Sequence, residues 1–341
     1  MSPHSYPGAD RVARNFRRIV SGDPSGQPAW VRAMADGEDA GLFGPGSPPW
    51  IVHGHLATLV GGIRALLLQA LHPAALAGVE QHSRYRGDAL GRLSGTTRWL
   101  TSVTFGDTAT AERESARVRV MHDRVRGTWS PSVAPAVPRP YTASDPDLLR
   151  WVHVAFTDSF LTTHLTWGGP IPGGPDAYVR DWGRAAELLG LADPPRSRAD
   201  LDEQLSSYEG VLVGGPAARR IARFVLRPPL PAPALPAYGV LVAGAVSTLR
   251  PAHRTALGLP HVPRAPARIA VSGLLAGMRL ALGARSPSER AARGRIERVA
   301  GAASPDGLRS SYGAGTPRTT SRSSSHVSVS ERGDATQCPP S

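Results

Sequence analysis

The chain has 341 residues, with 39 basic and 27 acidic side chains, a net charge of +12 and no lysine, so every counted base is arginine. Its length supports a core of its own, and 41% hydrophobic with 19% charged residues excludes a collagen, a coiled coil or disorder throughout. A lone Cys338 excludes an internal disulfide, a structural zinc finger and an iron–sulfur cluster.

The positive excess lies almost wholly in the first 300 residues. Such a surface favours anionic partners. No arginine run with interleaved aromatics is present, however, and nucleic acid is not an expected partner. Residues 1–21 carry Arg11, Arg14, Arg17 and Arg18 without an apolar stretch of signal-peptide length. The apolar runs 56–71, 239–249 and 269–284 are short, or broken by Arg64 or Arg279, against the ~20 residues of a bilayer span. The expectation is a cytoplasmic protein without a transmembrane segment, with peripheral membrane contact left open.

Glycine and proline cut the chain into helical blocks, with no internal repeat and little strict apolar alternation. Helices are predicted at 9–20, 28–36, 50–71, 74–83, 89–102, 108–126, 146–166, 175–189, 198–208, 216–226, 235–256, 266–283 and 286–300. A linker of proline and small residues at 130–143 joins two halves of one domain. The fold class is therefore all-α, a single multi-helix domain. It divides into an N-terminal helical extension over 1–40, a main helical domain over 41–300 and a tail over 301–341. The tail is rich in Ser, Thr, Gly and Pro; it cannot offset its own ordering entropy and is expected to be disordered.

The helix at 108–126 has the strongest local signals. Asp107 or Thr108 can cap its start, Glu112 and Glu114 lie near the positive end of its dipole, Arg124 and Arg126 near the negative end, and Gly127 suits a left-handed C-terminal cap. Val118, Met121, His122 and Val125 fall at the i, i+3, i+4, i+7 spacing of an inward face. An inward His122 is either a hydrogen-bonded core histidine or, as a neutral imidazole in an apolar helical pocket, the fifth ligand of haem iron. Arg126, one turn on, either complements the dipole or neutralises a carboxylate such as a haem propionate. Upstream, Arg92 and Thr96 are also one turn apart and are followed by Trp99, Leu100, Val103 and Phe105. They can line the opposite wall of a pocket, or Thr96 can simply bond back to the carbonyl of Arg92.

The other histidines carry weaker signals. His53, His55, His72 and His82, with Glu80, allow a non-haem iron site to be drawn, but their spacing matches no standard ligand signature. His153 and His164 are expected to pack or hydrogen-bond within helix 146–166. No G-x-S-x-G elbow, Walker loop or strand-linked G-x-G-x-x-G is present.

The run LHPAALAGVEQHSRYRGDALGRLSGTTRWLTSVTFGD (71–107), followed by RVRVMHDRVRG (117–127), resembles the MpaB/rubber-oxygenase catalytic-domain family, haem b proteins that include the latex-clearing proteins. R-x-x-x-T at Arg92 and Thr96 and H-x-x-x-R at His122 and Arg126 fall in the family's order. The likeness continues more weakly through 147–160 and 176–205 and covers roughly residues 45–260. It implies a globin-like helical core over 41–300 and an axial His122 binding haem b iron. Arg126, Arg92 and Thr96 would line the cofactor, with Arg92 and Thr96 also serving catalysis. Latex-clearing proteins can place a lysine on the distal side of the iron, immediately before the motif threonine; here that position is Gly95. The resemblance then implies a sixth position that is open, or held by water, His72 or His82. The family's distal glutamate has no assigned counterpart, Glu80 being the nearest acid, and polyisoprene cleavage is not implied. The expected function is a haem b-dependent oxidoreductase, an oxygenase acting with dioxygen on an apolar or isoprenoid-like small molecule. The alternatives are a non-catalytic haem-binding or gas-sensing module and a haem-free helical protein that binds a lipid or anionic partner.

Overall fold

A computed structural model describes residues 27–82, 89–131 and 137–302, together with Phe16, Arg18 and Asp23; for 89–94 only the backbone is described. The contacts group the chain into Met1–Ala300 and Gly301–Ser341. The helix expected at 9–20, apart from Phe16 and Arg18, and the disordered tail expected beyond Ala302 lie outside the described residues.

The architecture is all-α, with fourteen α-helices among the described residues and one two-stranded hairpin. Helix α1 (Ala29–Arg32) runs into a 3₁₀ turn at Ala33–Ala35. The helix expected over 50–71 is two, α2 (Pro48–Gly54) and α3 (Ala57–Gln69), bent by 90°. The cause is local. His55 is extended at φ −85° and ψ 143°, its Nδ1 accepts the Ala57 N–H, and the Thr58 hydroxyl donates to the Val52 carbonyl, so the chain caps and restarts. After α4 (Pro73–His82), helices α5 (Ala89–Phe105) and α6 (Thr108–Arg124) form an antiparallel pair.

The expected 130–143 linker is in part a strand. β1 (Arg126–Trp129) pairs antiparallel with β2 (Arg139–Thr142), Arg126 opposite Thr142 and Trp129 opposite Arg139. Four-residue strands are too short to show period-two alternation, and Pro140 masks the second. Helix α7 (Pro146–Trp167) starts at Asp145, which accepts the Asp147 N–H, with Pro146 at its first position. Helices α8 (Gly174–Glu187), α9 (Arg198–Ser207) and α10 (Pro216–Leu226) follow, α9 behind a Ser197–Asp200 capping box. The helix expected over 235–256 breaks before Pro251 into α11 (Leu235–Ser247) and α12 (Pro251–Ala256), because Arg250 is held extended ahead of the proline. α13 (Arg264–Leu282) and α14 (Pro287–Ala302) complete the fold.

The core centres on α3 packed along α7, with Leu67, Leu68, Trp151, Val154 and Phe160 fully or nearly fully buried. Gly61 permits this approach: a Cβ there would lie 2.7 Å from Phe160 Cδ1 and 2.8 Å from Thr163 Oγ1. Across the same contact Arg64 donates to Asp158 at 2.6 Å and to Ser159 at 2.8 Å, an ion pair with 3% and 6% of the side chains exposed. At another edge Arg295 of α14 is buried and donates to the carbonyls of Met34, Asp39 and Phe105.

Candidate functional site

The α5–α6 pair positions the residues singled out in the sequence. Asp107 caps α6 by accepting the Thr110 N–H at 3.0 Å, as expected. Gly106 fits the tight turn, since a Cβ there would overlap the Ser102 carbonyl and Thr110. Two contacts fix the register. Arg98 pairs with the buried Glu114, which also holds Arg117 at 2.9 Å, and Trp99 Nε1 donates to Ser115 Oγ at 3.1 Å. Continued along the antiparallel pair, the Trp99–Ser115 contact sets the backbone of Thr96 near the level of Val118 and that of Arg92 near the level of His122. Arg92, Thr96 and His122 therefore lie toward one end of the hairpin. The Arg92 side chain lies outside the described residues.

On α6 the inward stripe is Ala111, Glu114, Ser115, Val118 and His122. Met121, expected on it, is 53% exposed. It stands about 80° round the helix from Ala111, at the edge of a narrow stripe that meets a single partner helix. His122 is half-buried, and burial holds its imidazole below the usual histidine pKa, outweighing the neighbouring Asp123. It is therefore neutral at pH 7, and among the described residues it has no hydrogen-bond partner.

Arg126 departs from expectation. The helix ends at Arg124, Val125 is extended at φ −90° and ψ 97°, and Arg126 opens β1 with its side chain exposed. Its Nε donates to the Asp123 carbonyl at 2.9 Å, which leaves the terminal amines free among the described residues. Gly127 is a strand residue, not a left-handed cap; its small size accommodates Gln81 and Tyr141, which a Cβ would overlap. The hairpin is tied to α4 through His82 Nε2 on the Arg126 carbonyl at 2.8 Å, Gln81 on the Thr128 carbonyl and the Tyr141 hydroxyl on Gln81.

On α5, Gly95 and Thr96 are exposed, and a Cβ at Gly95 would meet no described atom within 4 Å. A cavity of about 840 Å³ and another of about 260 Å³ are bordered by described residues, and neither of these touches His122 or Thr96. The non-haem iron grouping is not assembled. Glu80 pairs with Arg220, His82 is committed to the hairpin, and His72 sits against Trp151 and Tyr208. His53 is buried between Thr104 Oγ1 and the Tyr178 hydroxyl, each at 2.9 Å. No group of three metal-ligating side chains occurs among the described residues.

A family model described as ER-bound oxygenase mpaB/B'/rubber oxygenase, catalytic domain, matches residues 50–284, from within α2 to just beyond α13. The chain belongs to this oxygenase family. No curated protein and no solved structure matches it. Within this mpaB/rubber-oxygenase domain, the α5–α6 hairpin carries Arg92, Thr96 and His122, Arg126 follows it in β1, and α14 lies outside the matched region.

A haem would need a donor from the chain, and the chemistry of His122 fits that role: a neutral imidazole, partly exposed and uncommitted among the described residues. The buried network of His53, Thr104 and Tyr178 escaped sequence reasoning because its members are 51 and 125 residues apart. Arg64 and Asp158 were legible in principle: each is a charge inside an apolar helix and requires a partner.

Proposed function

We propose that the protein is a haem b-dependent oxygenase acting with dioxygen on an apolar or isoprenoid-like small molecule, and that His122 is the ligand of the haem iron. The observation that carries this reading is the imidazole of His122, half-buried, neutral and uncommitted among the described residues, near the level of Arg92 on the paired helix of an oxygenase-family domain. Haem, when bound, supplies the oxygen chemistry. The chain's own residues supply the rest. Burial keeps a nitrogen lone pair of His122 unprotonated at neutral pH. Asp123 is turned away to the Ser144 hydroxyl at 2.5 Å. Arg126, bonded only through Nε among the described residues, keeps its terminal amines for a carboxylate at the cofactor's edge. Arg92 and Thr96, one turn apart on α5, bind and orient substrate and dioxygen, Thr96 from an exposed position. A cytoplasmic location goes with this reading.

The test compares the full chain with its His122→Ala variant, both expressed with ample haem precursor. Wild type is expected to purify with haem and a Soret band, and the variant to retain at most a tenth of that haem with unchanged far-UV circular dichroism. Equal haem content and identical spectra in the two proteins would refute the assignment. Oxygen uptake with an unsaturated isoprenoid then separates an oxygenase from a haem module without turnover.

A further inference from the structure

Helix α13 is out of keeping with the body it covers. By length and composition it could cross a bilayer, yet only 17% of its apolar window is buried. Ala267, Val271 and Leu275 anchor it against the body, where it packs on α11 and α7. The opposite face is exposed, with Ile269 at 75% and Leu280 at 88%. Those two residues are eleven positions apart, three turns, and stand within about 20° of each other; Ala265, Gly273 and Ala276 share their face. Arg268 and Arg279, also eleven apart and both exposed, form a second row about 80–100° round the helix. The helix contains no Asp or Glu.

Beside the arginine row lies the larger cavity, about 840 Å³, between α7, α11 and α13. Arg264, Arg268, Thr166, Thr248, Ser272 and Trp167 are among its lining residues. Arg264 spends its Nε on the Ser247 carbonyl, and the Arg268 guanidinium has no partner among the described residues. The hydroxyls of Thr166 and Thr248 and the indole N–H of Trp167 already donate to backbone carbonyls, so the two arginines supply the spare donors, and two such cations at the edge of an apolar ridge match a phosphate headgroup whose acyl chains lie along that ridge. The pattern of an apolar row flanked by arginines, without acids, is that of a helix lying in an interface plane. The packing of Ala267, Val271 and Leu275 into the body and the arginines at 268 and 279 favour a helix lying in the interface over a span.

We infer that the exposed face of α13, with the adjoining Arg264–Arg268 groove, is a docking surface for an anionic phospholipid membrane. Charge complementarity selects this occupant over a second copy of the chain, which would oppose one arginine row to another. The inference is independent of whether His122 holds haem. α13 sits by the C-terminal end of α7, whereas His122 lies by its N-terminal end, where Asp123 accepts from Ser144. Docking would thus leave the α5–α6 end of the molecule facing away from the lipid.

The experiment is co-sedimentation of the full chain with vesicles of phosphatidylcholine alone and of phosphatidylcholine mixed with phosphatidylserine. Binding is expected on the mixed vesicles and to fall as salt rises. The Arg268→Gln/Arg279→Gln variant should bind about 30-fold more weakly, from the contribution of a basic residue at an anionic surface. An Arg113→Gln/Arg180→Gln control, with the same charge lost from exposed positions on α6 and α8, should bind as wild type does. Ile269→Gln/Leu280→Gln should lose binding without losing helical signal. Equal loss in the two arginine variants would reduce the effect to net charge and overturn the assignment. So would absence of binding at low salt, or a dimer in light scattering that Ile269→Gln/Leu280→Gln converts to monomer.

Discussion

The imidazole of His53 illustrates how a buried polar group is made tolerable. The Thr104 hydroxyl gives its proton to the Leu100 carbonyl at 2.7 Å, so it can only accept from His53, which places the ring proton on Nδ1 and leaves Nε2 to accept from Tyr178. Burial pushes this imidazole down to about 3. His164, 1% exposed, has the opposite condition: neither ring nitrogen has a partner among the described residues, and His55 stands with its ring centroid 5.5 Å away. The two sites predict opposite responses to the same change. His53→Leu should destabilise by about 2–3 kcal/mol by orphaning Tyr178, and His164→Leu should be neutral or stabilising by about 1 kcal/mol. Urea unfolding checks both, and a loss at His164 equal to that at His53 would show that its nitrogens are satisfied. Residue-level legibility was uneven for the same reason. His122 stands out because a helix stripe is periodic, whereas His53 depends on contacts that no spacing encodes. Arg126 was misplaced on the helix because the helix stops at Arg124, two residues early, and terminal residues depend on the hairpin that follows.

Among the elements, α3 and α7 form the axis of the core, and their closeness depends on a single glycine. Gly61 faces Phe160 and Thr163, while Gly62, its neighbour, faces open space among the described residues. Gly61→Ala should therefore force the helices apart and cost about 2–4 kcal/mol, within the range for overpacked cores and above. Gly62→Ala should stabilise by about 0.5–1 kcal/mol through helix propensity alone. Paired denaturation curves test this contrast, and similar effects at the two positions would contradict the packing. Most helices were readable from apolar spacing, caps and prolines, α10 to the residue. The bends at His55 and Arg250 were not, because apolar patterning continues across both and only two or three residues interrupt the helices. The β1–β2 hairpin was missed for want of length.

For the molecule as a whole, the buried histidines set the response to acid. Burial lowers His53 and His153 to about 3 and His164 to about 4, from 6.5. Each is neutral when folded and takes up a proton when unfolded once the pH passes below its ordinary value. The unfolded state then binds more protons, so stability is level above about pH 6.5 and declines steadily toward pH 4. Thermal melts in that window should show a falling Tm before the carboxylates titrate; a flat profile down to about pH 4.5 would contradict the burial of these rings. The all-α architecture was legible from the helical blocks between glycines and prolines and the family from the two motif pairs, but the exposed ridge of α13 was not, since apolar residues facing water carry the same letters as apolar residues facing a core. One further contact bears on where this fold ends. Arg295 stitches α14 to the carbonyls of Met34, Asp39 and Phe105, although the family match stops at residue 284. A protein trimmed to the matched region would thus lose the clasp beneath the turn joining α5 to α6, and with it the support for the hairpin that presents His122.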